Sequence, residues 1–171
     1  MTIKIRPFRK LESKAVYEML QTIPREENEA TNKVNGITFD EFKEFCKNAV
    51  QRAKGQNLSK GHILQITYLI FDEEIPVGFG KFRPIMNDLC IKNRAFHFSY
   101  MIAPKHRGKG YATAFISFIK KQALRWGLTE IRGTALIENT ASCRVMEKNE
   151  GTLESAYDNG ATYVISLKKE R

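Results

Sequence analysis

The chain has 171 residues, 42% of them hydrophobic and 27% charged, which fits one globular domain and excludes a repeat, collagen-like or low-complexity architecture. Its 28 Lys and Arg against 19 Asp and Glu leave a formal net charge of +9, a balance that draws anions such as nucleic acid, anionic lipid or a phosphorylated small molecule, or simply aids solubility. The opening MTIKIRPFRK carries no signal-like apolar run, no stretch is long enough to cross a bilayer, and the scattered Cys46, Cys90, Cys143, His62, His97 and His106 make neither a disulfide framework nor metal-ligand spacing, so the expectation is a cytoplasmic protein with no metal and no membrane partner.

In chain order, residues 2–6 alternate as a short strand closed by Pro7. Leu11, Ala15, Met19 and Ile23, with Val16 and Leu20 beside them, recur at helical spacing until Pro24. The polar, aperiodic REENEATNKVNG predicts an exposed connection. A second helix begins at Thr38, a cap with Glu41 as its capping-box partner, and buries Phe39, Phe42, Cys46, Ala49 and Val50. HILQITYLIF and VGFGKFRPI, joined by DEEIP, read as a hairpin, and NRAFHFSYMI as a third long strand. A helix with Ala112, Phe115, Ile116, Ile119, Ala123 and Trp126 on its apolar face follows and stops at Gly127. EIRGTALI is a strand, NTASCRVMEKN a shorter helix capped by Asn139, and TLESAY and ATYVISL flank the turn signal DNG.

PKHRGKGYATAF, residues 104–115, carries the chemistry. A strand, a glycine loop and a helix start form a socket for an anion: the first helical turn has N–H groups without internal partners, the dipole is positive there, and Gly108 and Gly110 let the backbone come close. Lys105, Arg107 and Lys109 add positive field. A P-loop would need G-x-x-x-x-G-K-S/T, which is missing, and a dinucleotide fingerprint would need glycine where Thr113 stands.

Arg107-x-x-Gly110-x-Ala112 resembles the Q/R-x-x-G-x-G/A acyl-CoA-binding motif of the GNAT superfamily of N-acyltransferases, and Asn139, Ser142, Lys148 and Gly151 occupy places similar to that family's later segment. The order of elements is similar as well, so the resemblance covers nearly the whole chain. It implies a single N-acyltransferase domain over residues 1–171 of the mixed α/β (α+β) class: a central mixed, splayed sheet of six to seven strands with about four helices, in the order β-α-α-β-β-β-α-β-α-β-β. It further implies an acetyl-CoA-dependent N-acetyltransferase that moves an acetyl group to a primary amine by direct attack in a ternary complex. A bulge would part the strands FSYMI and IRGTAL, the pantetheine arm would pair with backbone around Tyr100, Met101 and Ile102, and the diphosphate would rest on Arg107, Gly108, Lys109, Gly110, Tyr111 and Ala112. Asn139 either touches acetyl-CoA or only caps its helix, and Ser142 either touches acetyl-CoA or only faces solvent or a neighbour. A small-molecule or peptide amine would bind over the first two helices, the strand VGFGKFRPI and the closing hairpin, and a homodimer is compatible with the fold.

His97, beside Ser99 on the acceptor side of its strand, is either a hydrogen-bonded structural residue or a base for the amine. Two departures from the family pattern stand out. Met146 replaces a tyrosine that can protonate the leaving thiolate, so either Tyr100, Tyr157 or water takes that task or the thiolate, of modest basicity, leaves unassisted, and Glu150 replaces a glycine, which moves the left-handed cap to Asn149. His106 and Cys143 are expected to be bystanders. The competing readings are a catalytically silent acyl-CoA sensor, favoured by Met146, and a basic nucleic-acid-binding module, disfavoured because the phenylalanines fit core periodicities.

Overall fold

A computed structural model of the chain describes residues 1–168, so the last three residues of the expected 1–171 domain lie outside the described residues. The elements run β1 (Ile3–Pro7), α1 (Lys14–Gln21), β2 (Glu26–Glu27), β3 (Ala30–Thr31), α2 (Phe39–Ala53), β4 (Ile66–Asp72), β5 (Ile75–Phe82), α3 (Asp88–Lys92), β6 (Phe98–Ile102), α4 (Tyr111–Arg125), β7 (Glu130–Leu136), α5 (Thr140–Lys148), β8 (Gly151–Tyr157) and β9 (Gly160–Ser166). A short 3₁₀ turn, Pro104–His106, separates β6 from α4.

Apart from the small β2–β3 pair, the strands among the described residues form two sub-sheets, β1-β4-β5-β6 and β7-β9-β8, and all the ladders are antiparallel. Apolar cores lie on both sides. On one face Phe98, Ile102, Ile131 and Ile165 pack with Phe115, Ile116 and Ile119 of α4 and Met146 of α5. On the other, Leu69, Phe79 and Met101 pack with Val16 and Leu20 of α1 and Phe42 and Cys46 of α2. β6 contributes to both because its side chains alternate, Phe98 and Ile102 inward to α4 and Met101 to the α1–α2 side. No helix among the described residues is long and apolar enough to cross a membrane.

Local chemistry explains most boundaries. The Thr38–Glu41 capping box closes in both directions, Glu41 N–H to Thr38 Oγ1 at 3.2 Å and Thr38 N–H to Glu41 Oε2 at 2.7 Å. α1 starts later than the periodicity predicts: Ser13 caps it through the Val16 N–H, and Leu11, 69% exposed, stays outside. Trp126 follows the last turn of α4 and is exposed instead of joining its apolar face.

The segment 25–36 is not a free connection. Asn28 and Glu29 take left-handed conformations that close the small β2–β3 hairpin, and the buried Asn32 donates through Nδ2 to the Leu20 and Ile23 carbonyls (2.8 and 3.0 Å) while its Oδ1 accepts the Val34 N–H. Residues 93–97, expected in a long strand, lie outside β6, and the unforeseen α3 is capped by Asn87. The left-handed residue after α5 is Glu150, one later than expected, because buried Asn149 instead bonds the Thr113 and Val145 carbonyls through its amide.

Candidate active site

β6 leads into α4, and β7 into α5; a cleft of about 470 Å³ opens where the two strand-to-helix joints face each other. At their starts the strands are clasped, the His97 N–H donating to the Arg132 carbonyl (3.1 Å) and the Arg132 N–H to His97 Nδ1 (3.0 Å). Beyond that clasp no backbone bond joins them among the described residues. Phe98 supplies a wedge: its ring lies 2.5 Å from the point a Cβ on Gly133 would occupy, so the ring crosses β7 where any larger residue would collide. The expected bulge is absent from β6, whose register with β5 runs unbroken from Gly78↔Ile102 to Phe82↔Phe98; the register shifts lie at Ile70/Phe71 and Leu153/Ser155. The strands separate beyond the clasp, with Phe98 laid over Gly133, without a bulge in β6.

The parting frees main chain. Arg83 N–H bonds the His97 carbonyl and Ala103 N–H the Val77 carbonyl, so by ladder alternation the odd-numbered residues of β6 spend their backbone groups on β5. Phe98, Tyr100 and Ile102 turn theirs toward the gap. The Ile102 carbonyl accepts Arg107 Nε at 3.0 Å.

At the mouth of the gap, Gly108 (φ 74°) and Gly110 (φ 87°) hold the loop in left-handed conformations, and a Cβ at either would meet nothing within 4 Å. Backbone conformation, not space, therefore calls for glycine there. Gly110 caps α4 without a side chain, and among the described residues none of the amides from Gly108 to Thr113 donates to a protein acceptor; the first helical bond is Ala114 N–H to the Gly110 carbonyl. Tyr111 pins this helix start to the sheet by donating its hydroxyl to Asp72 Oδ2 at 2.6 Å, which lowers the Asp72 carboxyl and raises the Tyr111 phenol.

Of the residues singled out in the sequence, Tyr100, Met101, Ile102, Arg107, Gly108, Lys109, Gly110, Tyr111, Ala112, Asn139 and Ser142 all border this one cleft, although Met101 turns its side chain to the α1–α2 core. Three of them form a chain: Tyr100 Oη donates to Ser142 Oγ (3.0 Å), Asn139 Nδ2 donates to the same oxygen (2.9 Å), and the Ser142 N–H donates to Asn139 Oδ1 (3.2 Å). Both side-chain bonds end on Oγ, leaving the Ser142 hydroxyl proton free for a ligand. Burial is the main cause that raises the Tyr100 phenol above its ordinary value.

His97 stands apart. It is buried and does not border the cleft, and burial, with the Arg132 charge beside it, pushes its imidazole down to about 4. Cys143 directs its thiol to the Leu136 carbonyl at 3.6 Å and also stays outside the lining. Tyr157 donates to Glu29 Oε2 at 2.8 Å and carries Arg94 over its ring, 3.7 Å from the centroid.

Sequence reasoning missed several neighbours. His106, read as a bystander, borders the cleft, and its Nε2 is buried without a hydrogen-bond partner among the described residues. Arg144 of α5 adds a cation to the rim beside Lys148, which the sequence had already matched to the family's later segment, and their i, i+4 spacing puts the two on one side of the helix. Glu27 of the β2–β3 hairpin grips Arg107 with both carboxylate oxygens, at 3.1 and 2.5 Å, and nothing in the sequence signals a contact across that separation. Among the described residues no group of three or more His, Cys, Asp or Glu side chains is placed to hold a metal ion.

The chain matches the family model of the acetyltransferase (GNAT) domain over residues 2–152. A comparison with curated proteins gives no match. Among solved structures, the N-acetyltransferase PseH of Campylobacter jejuni in complex with acetyl coenzyme A is 16% identical, with 98% of this chain and 100% of that one covered at a TM-score of 0.60. An N-acetyltransferase from Staphylococcus aureus Mu50 is 16% identical over 98% of this chain and 100% of that one, with a TM-score of 0.65. The Salmonella typhimurium acetyl transferase that modifies the N-terminal serine of the ribosomal protein L7/L12 is also 16% identical, with 98% and 96% covered and a TM-score of 0.64. At such identities the likenesses speak for the fold. With the family domain spanning nearly all of the sequence, the chain belongs to the GNAT acetyltransferases, enzymes whose acyl donor is acetyl-CoA.

Proposed function

We propose that the cleft holds acetyl-CoA with its diphosphate on the loop from Arg107 to Ala112 and its pantetheine arm along β6, and that the enzyme acetylates a primary amine by direct attack in a ternary complex. The observation that carries this reading is the row of unbonded amides from Gly108 to Thr113 at the positive end of α4. Arg107, Lys109, Arg144 and Lys148 border the same mouth and suit a polyanion, and the main chain turned outward at Tyr100 and Ile102 suits an extended amide-bearing arm.

Bound there, acetyl-CoA supplies an activated acyl carbon and a thiolate leaving group. The chain's own residues do the rest. Main-chain N–H groups of β6 in the gap steady the negative charge that gathers on the thioester oxygen, a preorganised contribution of the kind that is commonly large. As the C–N bond forms and the C–S bond breaks, the amine's surplus proton passes to water, the sulfur takes a proton from Tyr100 Oη, and the phenolate left behind is reprotonated from water. Tyr100 suits that task because its phenol borders the cleft and carries its proton at neutral pH, and Met146, where the family pattern has tyrosine, has no proton to give. His97 we assign to the strand clasp, since its Nδ1 lone pair is already taken by the Arg132 N–H.

Release of free CoA thiol from acetyl-CoA in a panel of primary amines tests this. Amine-dependent release is expected; no release with any amine, together with no calorimetric binding of acetyl-CoA, would overturn it.

A further inference from the structure

On the opposite face of the sheet, beneath α1 and α2, lies a second cavity of about 340 Å³. Four cationic side chains, Lys33, Arg52, Lys81 and Arg83, line it, and no Asp or Glu does. None of the four is in an ion pair among the described residues. Their hydrogen bonds end on neutral oxygens: Lys81 Nζ on the Thr31 carbonyl (2.7 Å), Arg83 on Gln65 Oε1 (3.0 Å) and the Phe96 carbonyl (2.9 Å), Arg52 Nε on the Ile63 carbonyl (3.2 Å). Glu12, the buried carboxylate on this side of the sheet, is spent on Arg6 and the Arg9 N–H.

Such an arrangement is costly on its own. Lys33 is exposed, but Arg52, Lys81 and Arg83 are half-buried, and withdrawing like charges from water without a counter-charge disfavours each of them. Burial first, and then the charges of Arg83, Lys33 and Arg52, push the Lys81 ammonium down to about 7, and burial with Arg52 pushes Arg83 down to about 10. Holding three carbonyls and an amide oxygen in place needs only neutral donors, so the charge exceeds what the fold requires. An oxyanion entering the cavity would supply the missing counter-charge.

The cavity adjoins the acetyl-CoA cleft. Lys81 pairs directly with Ser99 across the β5–β6 ladder, which puts the two side chains on one face, and Ser99 borders the cleft. The segment from Glu27 to Val34 walls both spaces, Glu27 to Ala30 the cleft and Thr31 to Val34 the cavity. We infer that this cavity is the anion subsite of the acceptor: the amine accepted by the enzyme carries a carboxylate or phosphate group that Lys81 and Arg83 hold, with its amino group directed past Ser99 toward the gap in β6. The inference rests on the reading of the cleft as the acetyl-transfer site.

Two measurements test it separately from that reading. With the cleft saturated by CoA and ionic strength matched with chloride, phosphate and succinate should each raise the melting temperature of the wild type and of Lys81→Arg, and should do so far less for Lys81→Met and Arg83→Gln; CoA affinity serves as the folding control. Equal or absent shifts in all four proteins would overturn the subsite whether or not acetyl transfer occurs. In thiol-release assays, 4-aminobutyrate and O-phosphoethanolamine should exceed butylamine and ethanolamine in kcat/KM by about tenfold or more, a preference that Lys81→Met abolishes. The better of the two anionic amines identifies carboxylate or phosphate as the natural group. Turnover that favours the amines without an anionic group, undisturbed by Lys81→Met, would sink the inference and leave the acetyltransferase standing.

Discussion

Arg107 and Glu27, 80 residues apart in sequence, meet across the mouth of the cleft in a two-pronged ion pair. The arginine is the cation that leads the glycine loop, and the glutamate belongs to a hairpin whose following segment Asn32 ties to the end of α1. On the proposed reading of this loop, Glu27 competes with the diphosphate for Arg107, and acetyl-CoA would displace it.

Glu27→Gln is accordingly expected to tighten acetyl-CoA binding. The pair is partly exposed and worth about 0.2–1 kcal/mol, so the gain should be roughly 1.4- to fivefold in Kd. Arg107→Glu should do the reverse and more strongly, by roughly tenfold or beyond, because a charge-assisted contact becomes a repulsive one. Titration calorimetry checks both, and an unchanged Kd in Arg107→Glu would remove the arginine from the diphosphate site.

Tyr100→Phe should lower kcat by roughly a hundredfold, the lower end of what a positioned proton donor contributes, with a much smaller change in the KM for acetyl-CoA. The loss should shrink with acyl donors whose thiol leaving group is more acidic. A variant that keeps the wild-type kcat would hand the proton to water.

His97 makes a pH prediction. Its folded value of about 4 lies below the ordinary 6.5, so the unfolded chain takes up the proton first. The stabilisation is complete above about pH 6.5 and drains away as the pH falls through 4. His97→Asn keeps an acceptor for the Arg132 N–H but does not titrate, so its deficit in melting temperature should be largest at neutral pH and narrow toward pH 4. A constant gap across that range would contradict the role of burial and Arg132.

Gly133→Val should lower stability by about 1–3 kcal/mol, the usual cost of overpacking, because its side chain meets the Phe98 ring. Pairing it with Phe98→Ala should recover part of the loss if the two act as wedge and seat. Simple additivity in the double variant would count against that pairing.

How much of this was legible in the sequence depended on range. Short-range chemistry was plain: Thr38 and Glu41 announce their capping box, Asn139 its cap through the Ser142 N–H, and Arg107, Gly108 and Gly110 a strand-to-helix anion socket. The face of α4 was readable from Phe115, Ile116 and Ile119 because the period holds over several turns. α3, five residues long, is too short to show a period, and the β2–β3 hairpin offers only two residues a side, closed by Asn28 and Glu29 rather than by glycine. The Glu27–Arg107 pair and the Lys81–Arg83 cavity arise from tertiary placement. Lys81 and Arg83 look like solvent-facing positions of an alternating strand until α1, α2 and the segment from 31 to 34 are laid over them.

The account stands or falls on the amides at the start of α4. Backbone NMR of the labelled protein, titrated with CoA and separately with pantetheine, which lacks the diphosphate, reads them directly. The predicted result is large shifts for Gly108 through Thr113 with CoA and small ones with pantetheine; amides there that stay unmoved by CoA while other parts of the chain respond would contradict it.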